Sequence, residues 1–329
     1  MGSKQVLLPT ILAEVKRLQP KKVLDAFSGS GCVSYGLKTL GVEVHTNDMM
    51  LFASKIADAT VRNNDTVLSE NDQKLLLRKN PRADDFVQRT FAGLYFTPED
   101  DEFLDNLWAN IDSMKSPLKR SMALASISRA AMKKRPRGIF TFTGQKGWDG
   151  RKDLKLSMRE QFLIAVNAFN LAVFSNKKRN QTFQKDAFNL DPKGYDLVYI
   201  DTPYVSPFSD CDYTRRYHFV EGYCSYWRDS EIMQNTLTKK IRSHPTAFAS
   251  KREVEASFHR LFDHFKDSTL MVSYSSNAIP SKGTLMTIMK EYKRNVTVIE
   301  KPHKYSSGNH AHKVGDNRND VHEYLFIGT

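Results

Sequence analysis

The chain has 329 residues, of which 40% are hydrophobic and 26% are charged. It contains no apolar run near the length of a membrane span, and its N-terminus lacks the basic and apolar regions of a signal peptide. Its three cysteines form no C-x-x-C pair, which excludes a zinc ribbon and a disulfide framework, so we expect a cytoplasmic protein with reduced thiols. The length favours two domains.

The positive charge is concentrated in one segment. The net charge is +12, and residues 115–152 contain eleven Lys and Arg residues against one acidic residue, Asp149. Such a run can also be a solvated face that binds nothing. Because neutralising phosphates needs unpaired cations close together, we favour a nucleic-acid surface for this segment.

The first predicted elements alternate between strand and helix. Residues 23–27 form a short apolar run that ends in a Ser/Gly loop at 28–31, and a helix-compatible stretch follows at 32–40. A second strand at 42–45 leads to Asp48. Strands in this alternating order usually pair in parallel through crossover helices, which predicts an α/β fold.

Between about residues 66 and 180 the pattern becomes helical. Thr97 is a suitable N-cap for a helix, because proline and acidic residues follow it in the first turn. Two further helices are predicted at 118–134 and 156–174, on either side of a loop that contains four glycines, 135–150. This stretch therefore predicts a helical domain inserted into the sheet.

The strand pattern returns after residue 180. Further strands are predicted at 182–184, 195–200, 269–274, 295–299 and 323–327, with a helix at 283–292 between the third and the fourth of them. Together with the first two strands they complete an open, mostly parallel sheet of seven strands.

The loop Ser28-Gly29-Ser30-Gly31 is the first candidate ligand site. Its glycines let a ligand approach the backbone, and Asp48 after the second strand suits a ribose diol. The loop lacks the third glycine of a dinucleotide fingerprint and the lysine of a phosphate-binding P-loop. By itself it is explained equally well as an ordinary turn from strand to helix.

The tetrapeptide Asp201-Thr202-Pro203-Tyr204 is the stronger candidate, because it follows a buried strand where parallel sheets open onto a ligand crevice. An amine conjugated to a purine is a poor nucleophile towards a methyl sulfonium. The Asp201 carboxylate and the Thr202 carbonyl can accept its two hydrogens as positive charge develops. Pro203 fixes the turn, and the Tyr204 ring can stack on a flipped base.

Residues 25–31 followed by 201–204 resemble the Dam-like class of adenine-specific DNA methyltransferases. In that class a motif for S-adenosylmethionine (SAM) comes first, a target-recognition region second and an Asp-Pro-Pro-Tyr motif last. Further segments that resemble the class are residues 2–9, like its N-terminal lysine motif, 185–188, like its acidic adenine-contacting motif, 217–222 and 323–325.

The resemblance implies SAM as methyl donor, no metal, and a flipped-out adenine as the target. The implied catalytic residues are Asp201, Thr202, Pro203 and Tyr204. The implied cofactor-binding residues are Lys4, Asp25, Phe27, Ser28, Gly29, Gly31, Asp48, Asp186 and Phe188. Thr202 stands where the class usually has proline, but its carbonyl is kept, so we expect activity. A motif that opens with Asp rather than Ser favours adenine over cytosine.

We therefore predict a SAM-dependent methyltransferase sheet with an inserted helical DNA-recognition domain. Residues 1–66 and 180–329 form the discontinuous catalytic domain, and residues 67–179 form the target-recognition insert, with a contribution from 205–245. The expected DNA contacts are Arg129, Lys133, Lys134, Arg135, Arg137, Lys146, Arg151, Arg215 and Arg216. We expect a monomer that acts on double-stranded DNA within a restriction-modification system, beside a separately acting restriction endonuclease.

Several alternatives stay open at this point. The same chemistry could act on adenine in RNA, and a degenerate copy of the fold could bind DNA without catalysis. Residues 213–219 interleave aromatic and basic side chains, which fits a base-flipping loop as well as the start of a helix that covers the core. His303, His310, His312 and His322 lack the partners of a tetrahedral metal site, so we expect a loop there.

Overall fold

A seven-stranded sheet dominates the computed structural model of the chain, which describes residues 4–144, 152–203, 205, 212–228, 230–243, 246–304 and 320–329. The strands are β1 Lys22–Asp25, β2 Glu43–Asn47, β3 Gln181–Phe183, β4 Leu197–Ile200, β5 Thr269–Ser275, β6 Val296–Lys304 and β7 Asp320–Gly328. Their spatial order is β3-β2-β1-β4-β5-β7-β6.

The five strands β3, β2, β1, β4 and β5 pair in parallel, and β7 is antiparallel to both β5 and β6. The predicted open, mostly parallel sheet of seven strands is confirmed. Strand order reverses between β1 and β4, which are direct neighbours with Asp25 opposite Tyr199. A reversal of this kind opens a crevice at the carboxyl ends of the two strands, where ligands bind in open α/β sheets.

Helices flank the sheet and also fill the insert. Within the described ranges the α-helices are α1 Leu8–Leu18, α2 Cys32–Thr39, α3 Leu51–Ala57, α4 Glu70–Leu77, α5 Phe86–Thr90, α6 Pro98–Asp112, α7 Pro117–Lys133, α8 Lys152–Lys155, α9 Met158–Ala172, α10 Tyr213–Ser225, α11 Val254–His264 and α12 Lys282–Tyr292. None of the helices so described is long and apolar enough to cross a membrane.

The chain divides into two compact units. A sheet unit contains residues 1–49, 176–211 and 245–329, and a helical unit contains residues 50–175 and 212–244. The helical unit thus begins earlier than the predicted residue 67, and its second segment lies within the range 205–245 that was predicted to contribute to it.

A contact with a distant segment of the chain accounts for the early start of the helical unit. The Glu221 carboxylate of α10 accepts hydrogen bonds from the backbone N–H groups of Leu51 and Phe52, at 2.8 and 3.0 Å. It thereby satisfies donors that the first turn of a helix leaves unpaired. Because this partner lies in a distant segment, the boundary could not be derived from the local pattern around residue 50.

The N-termini of the long helices follow from capping side chains. The hydroxyl of Thr97 accepts the N–H of Asp100 at the start of α6, with Pro98 in the first helical position. Ser157 and Glu160 form a capping box at the start of α9. Each cap satisfies a backbone donor that would otherwise lack a partner, which is worth about 1 kcal/mol.

The core of the sheet unit lies between the sheet and helices α11 and α12. It is built from the apolar side chains of β4 and β5 together with Phe258 and Phe262 of α11 and Leu285 of α12. Burying one such side chain stabilises the fold by about 1.5–3 kcal/mol. This packing holds β1, β4 and β5 side by side, and so fixes where the side chains at their carboxyl ends lie.

Candidate active site

Three carboxylates lie at the carboxyl ends of neighbouring parallel strands in the sheet unit. Asp25 is the last residue of β1, Asp48 follows β2 directly, and Asp201 follows β4 directly. Since β1 lies between β2 and β4, the three residues occupy adjacent strand ends at the reversal of strand order. All three are residues that the sequence predicted for the site.

The glycine loop is fastened to the end of β2. Gly29 and Gly31 have φ angles of +50° and +73°, which a side chain would make costly. The N–H of Gly29 donates to Oδ2 of Asp48 at 2.8 Å, and the N–H of Ser28 donates to the carbonyl of Asn47 at 2.8 Å. The predicted loop residues and Asp48 therefore form one connected group.

Asn47 is a structural residue of this group that the sequence reasoning missed. Its buried amide donates to the carbonyls of Ala26 and Lys185 at 3.1 and 3.0 Å and accepts the N–H of Lys185 at 3.0 Å. It thus joins the β1 loop to the segment that carries Asp186. The available signal was a polar residue at the buried end of a strand.

Two predicted aromatic residues converge on a third that was not predicted. Phe188 stacks on Phe248 with ring centroids 5.8 Å apart, and Phe27 meets Phe248 edge-on at 5.5 Å. The guanidinium of Arg260 lies 4.0 Å from the Phe188 ring centroid. Asp186 accepts the N–H of Phe188 at 3.0 Å and so caps the short turn before it. Nothing in the pattern around Phe248 or Arg260 indicated a role.

Asp201 belongs to an ionic group that is largely, though not fully, buried. Nζ of Lys4 lies 3.3 Å from Oδ1 of Asp201 and 3.2 Å from Oε2 of Glu323. Lys4 precedes α1, and Glu323 is on β7, so the contact joins positions 319 residues apart. The sequence predicted Lys4 and Asp201 but gave Glu323 no role. An acidic residue directly before the apolar run 324–327 was the signal that could have found it.

Burial raises the pKa of both central carboxyls. The pKa of Asp201 is raised to about 6, chiefly by burial and further by the charge of Glu323, while Lys4 opposes the shift. The pKa of Asp25 is raised to about 7, chiefly by burial, with the Ser34 hydroxyl opposing the shift and the charges of Asp201 and Asp48 adding to it. A ligand with a positively charged group near these carboxylates would therefore stabilise their ionised forms.

After Asp201, the described residues of the proposed catalytic tetrapeptide can contribute mainly through backbone carbonyl groups. The Thr202 side chain is buried, and its hydroxyl has no hydrogen-bond partner among the described residues. Pro203 is half-buried. The predicted stacking residue Tyr204 lies outside the described residues, so its position relative to Asp201 stays a prediction.

Two of the predicted DNA contacts are corrected by the structure. Arg135 is 1% exposed, and its guanidinium donates to the carbonyls of Tyr95, Phe142 and Gly144. Lys134 is 6% exposed and pairs with Asp100 at 2.5 Å. Side chains enclosed in this way do not present their charge to a phosphate, because they are buried inside the helical unit.

The other predicted DNA contacts differ in exposure. Arg129 and Arg137 are exposed, and Arg137 has a φ angle of +61°, which is rare for a residue with a side chain. Lys133 is half-exposed and pairs with Asp153 at 3.0 Å. Arg215 and Arg216 lie on α10, so the segment that contains them is a helix rather than an irregular loop. Lys146 and Arg151 lie outside the described residues.

Two of the four histidines near the C-terminal end, His303 and His322, lie on β6 and β7 rather than in the expected loop. His310 and His312 lie outside the described residues, and Nε2 of His322 lies 3.7 Å from Glu300. Nowhere in the part of the chain that the structure describes do three His, Cys, Asp or Glu side chains form a metal-binding group.

The strand order, the glycine loop and the carboxylates at the reversal are together typical of α/β proteins that bind a nucleotide-like ligand at the carboxyl ends of their strands. The family model described as D12 class N6 adenine-specific DNA methyltransferase matches residues 1–288. The chain belongs to this family of adenine-specific DNA methyltransferases, as its motifs predicted.

Curated relatives agree with the family. The chain is 25% identical to the type II methyltransferase M2.HphI of Haemophilus parahaemolyticus, over 93% of this chain and 90% of that protein. It is 23% identical to M.CviAII of Paramecium bursaria Chlorella virus 1, over 99% and 97%. It is 25% identical to M.FokI of Planomicrobium okeanokoites over 99% of this chain, which spans 52% of M.FokI.

Proposed function

We propose that this adenine-specific DNA methyltransferase moves the methyl group of SAM onto the exocyclic amine of an adenine that is flipped out of the duplex at a specific site. The observation that carries the proposal is the buried group of Lys4, Asp201 and Glu323 at the end of β4. The contact with Lys4 restricts the position of the Asp201 carboxylate. This supports a role for that carboxylate at the carboxyl ends of the parallel strands, where a ligand crevice opens.

The donor set fits the cofactor. SAM carries a sulfonium and an ammonium group together with ribose hydroxyls, and it supplies an electrophilic methyl group when bound. The carboxylates of Asp25, Asp48 and Asp201 are suitable partners for such cations and hydroxyls. We assign the loop of Ser28, Gly29 and Gly31 to backbone contact with the cofactor, and Asp186 to its adenine.

The aromatic pair and the lysine complete the proposed cofactor site. Phe27 and Phe188 share the ring of Phe248, so they offer an apolar wall at a fixed position. Lys4 acts through Asp201, because its ammonium contacts that carboxylate directly. We assign it to positioning of the acid rather than to catalysis.

In the proposed reaction Asp201 and the carbonyl of Thr202 accept the two hydrogens of the adenine amine. Both acceptors draw electron density towards the nitrogen as it gains positive charge. A proton leaves the nitrogen after the methyl group is attached, and the Asp201 carboxylate is placed to take it. Alignment of nitrogen and methyl group converts the step into an effectively unimolecular one.

The acid limb of the pH profile of kcat/KM should move in opposite directions in the variants Lys4→Met and Glu323→Gln. Because an ionised Asp201 is needed, kcat/KM is expected to fall as pH decreases through about 6. Lys4→Met removes the cation that lowers the Asp201 pKa, so the limb moves to higher pH. Glu323→Gln removes an anion that raises this pKa, so the limb moves to lower pH. Steady-state kinetics across the acid and neutral range measure both shifts, and shifts in the same direction would contradict the assignment.

We also propose that the helical unit recognises the DNA. The support for this is the one-sided charge of residues 115–152 and the exposure of Arg129 and Arg137 within that segment. A strained backbone at an exposed arginine often marks a functional position, because folding gains nothing from it. Lys133, Arg215 and Arg216 are assigned to the same surface, together with Lys146 and Arg151.

Charge reversal at this surface should change the salt dependence of DNA binding. For Arg129→Glu/Arg137→Glu, the slope of log K against log salt concentration is expected to become shallower by about 2, since each phosphate contact contributes about 1. Lys79→Glu/Arg82→Glu makes the same change in net charge at exposed positions outside the proposed surface and should keep the wild-type slope. Fluorescence titrations at several salt concentrations measure the slopes. Equal slopes for the two variants would remove the assignment.

Sequencing of DNA from cells that express the chain, scored for modified bases, tests the proposed function. Methylated adenine at one repeated sequence is the expected result, with cells that express an Asp201→Asn variant as control. Methylation of RNA alone would establish the alternative substrate, and transfer to neither polymer would leave only a DNA-binding role. The type II relatives support a restriction-modification context. We further propose that a restriction endonuclease acts separately and that the enzyme is a monomer, which light scattering can test.

A further inference from the structure

Glu323 lies in a buried polar layer on one face of the sheet. Its neighbour Tyr324 on β7 and Tyr274 on β5 both pack in the core beside α11 and α12. Because successive side chains of a strand point to opposite faces, Glu323 and the two serines that flank Tyr274 lie on the other face. Ser275 is directly opposite Glu323, and both Ser273 and Ser275 are at most 2% exposed. This part of the sheet is therefore polar but closed to solvent.

The charge of Glu323 acts on Asp201 within this layer. Both carboxylates contact the ammonium group of Lys4, at 3.2 and 3.3 Å, so they share one cation. The Glu323 charge contributes to the raised pKa of Asp201, after the larger effect of burial, while Lys4 opposes the shift. A raised pKa means that Asp201 holds a proton more tightly. The same field attracts any other positive charge that takes a place beside Asp201.

The proposed reaction changes the charge at that place. The target nitrogen has to lie within hydrogen-bond distance of Asp201 and in line with the methyl group of SAM. The SAM sulfur is then roughly 5–8 Å from the Asp201 carboxylate. This sulfur is positively charged in SAM and neutral in S-adenosylhomocysteine, the product that remains after methyl transfer. Apart from the methyl group, the two molecules offer the protein the same groups to bind.

We propose that Glu323 is a specificity-determining residue, whose charge makes the site bind SAM in preference to S-adenosylhomocysteine and so favours exchange of the spent cofactor. This inference rests on the proposed function. Glu323 acts through Lys4 and Asp201 and is not a catalytic residue. Its charge is felt at the sulfur because largely buried charges are screened much less than exposed ones.

Calorimetric titration of the full chain with three ligands tests the inference. The ligands are SAM, S-adenosylhomocysteine and sinefungin, which has a protonated amine in place of the methyl sulfonium. Measurement above about pH 8 keeps Asp201 ionised. For Glu323→Gln we expect SAM and sinefungin to bind about fivefold more weakly, and the affinity for S-adenosylhomocysteine to stay within about twofold of wild type.

Lys4→Met should change the preference in the opposite direction. It removes a cation from the same group, so the ratio of SAM affinity to S-adenosylhomocysteine affinity is expected to rise. This variant also tests the inference if Glu323→Gln does not fold. Glu323→Asp keeps the negative charge and should keep a preference for SAM close to that of wild type.

Glu291→Gln is the matched control, because it removes the same charge at an exposed position on α12 of the same unit. All three affinities should stay at their wild-type values. Equal weakening of all three ligands in Glu323→Gln, or no weakening, would overturn the inference, since neither result depends on the charge of the ligand. An unchanged or lower ratio in Lys4→Met would do the same. Wild-type protein that binds none of the ligands would instead show that the proposed function itself had failed.

Discussion

Asp201→Asn is expected to lower the single-turnover rate of adenine methylation about 10³-fold, because the asparagine keeps the shape of the side chain and loses its charge. The amide oxygen can still accept one hydrogen from the adenine amine. It cannot offset the positive charge that grows on the nitrogen during transfer, nor take up the proton afterwards. Rapid-quench measurement with labelled SAM and an excess of enzyme reports this rate without interference from product release.

The adjacent residue provides the control. Thr202 is buried, and its hydroxyl has no partner among the described residues, so Thr202→Val changes little besides the loss of that hydroxyl. Its carbonyl is unchanged, and we expect a rate within about threefold of wild type. Substantial activity in Asp201→Asn would remove the proposed mechanism, whereas an equally inactive Thr202→Val would assign chemistry to the hydroxyl.

Arg135→Met is expected to lower the free energy of unfolding by about 3–5 kcal/mol, which is among the largest effects of a single substitution. The carbonyls of Tyr95, Phe142 and Gly144 lose a charged donor, the first in a buried and the other two in part-buried surroundings. Burial lowers the Arg135 pKa to about 10, so the side chain is still cationic at neutral pH and its hydrogen bonds are charge-assisted. Denaturant titration followed by circular dichroism measures the loss.

Arg137→Met is the matched control for stability, since Arg137 is an exposed arginine two residues away. Its free energy of unfolding should stay within about 0.5 kcal/mol of wild type. A stable Arg135→Met with weaker, less salt-dependent DNA binding would restore the original prediction that Arg135 contacts the phosphate backbone.

Much of the sheet unit could be predicted from short-range patterns. A buried strand is a run of apolar residues bounded by turn residues, and β4, the strand before Asp201, has that form. The capping residue Thr97 likewise identified the start of α6. Such features depend on neighbours in the sequence, so they need no knowledge of the fold.

The rest depends on partners that are distant in the sequence. A run of Lys and Arg does not reveal which side chains turn inward, so Lys134 and Arg135 were assigned to DNA although Asp100 and three backbone carbonyls hold them inside. The same limit applies to Glu323. Its pairing with Lys4 is set by the position of β7 in the sheet, and nothing in the local sequence specifies that position.

The pairing of Lys4 with Glu323 has a consequence for biosynthesis. The two residues are 319 positions apart, so Lys4 has been made long before its second carboxylate partner leaves the ribosome. Until β7 is inserted between β5 and β6, Lys4 has only one of the two carboxylates that hold it beside Asp201. Nascent chains that stop before β7 also lack the strand that joins β6 to the sheet, and for that reason we expect them to have no methylating activity.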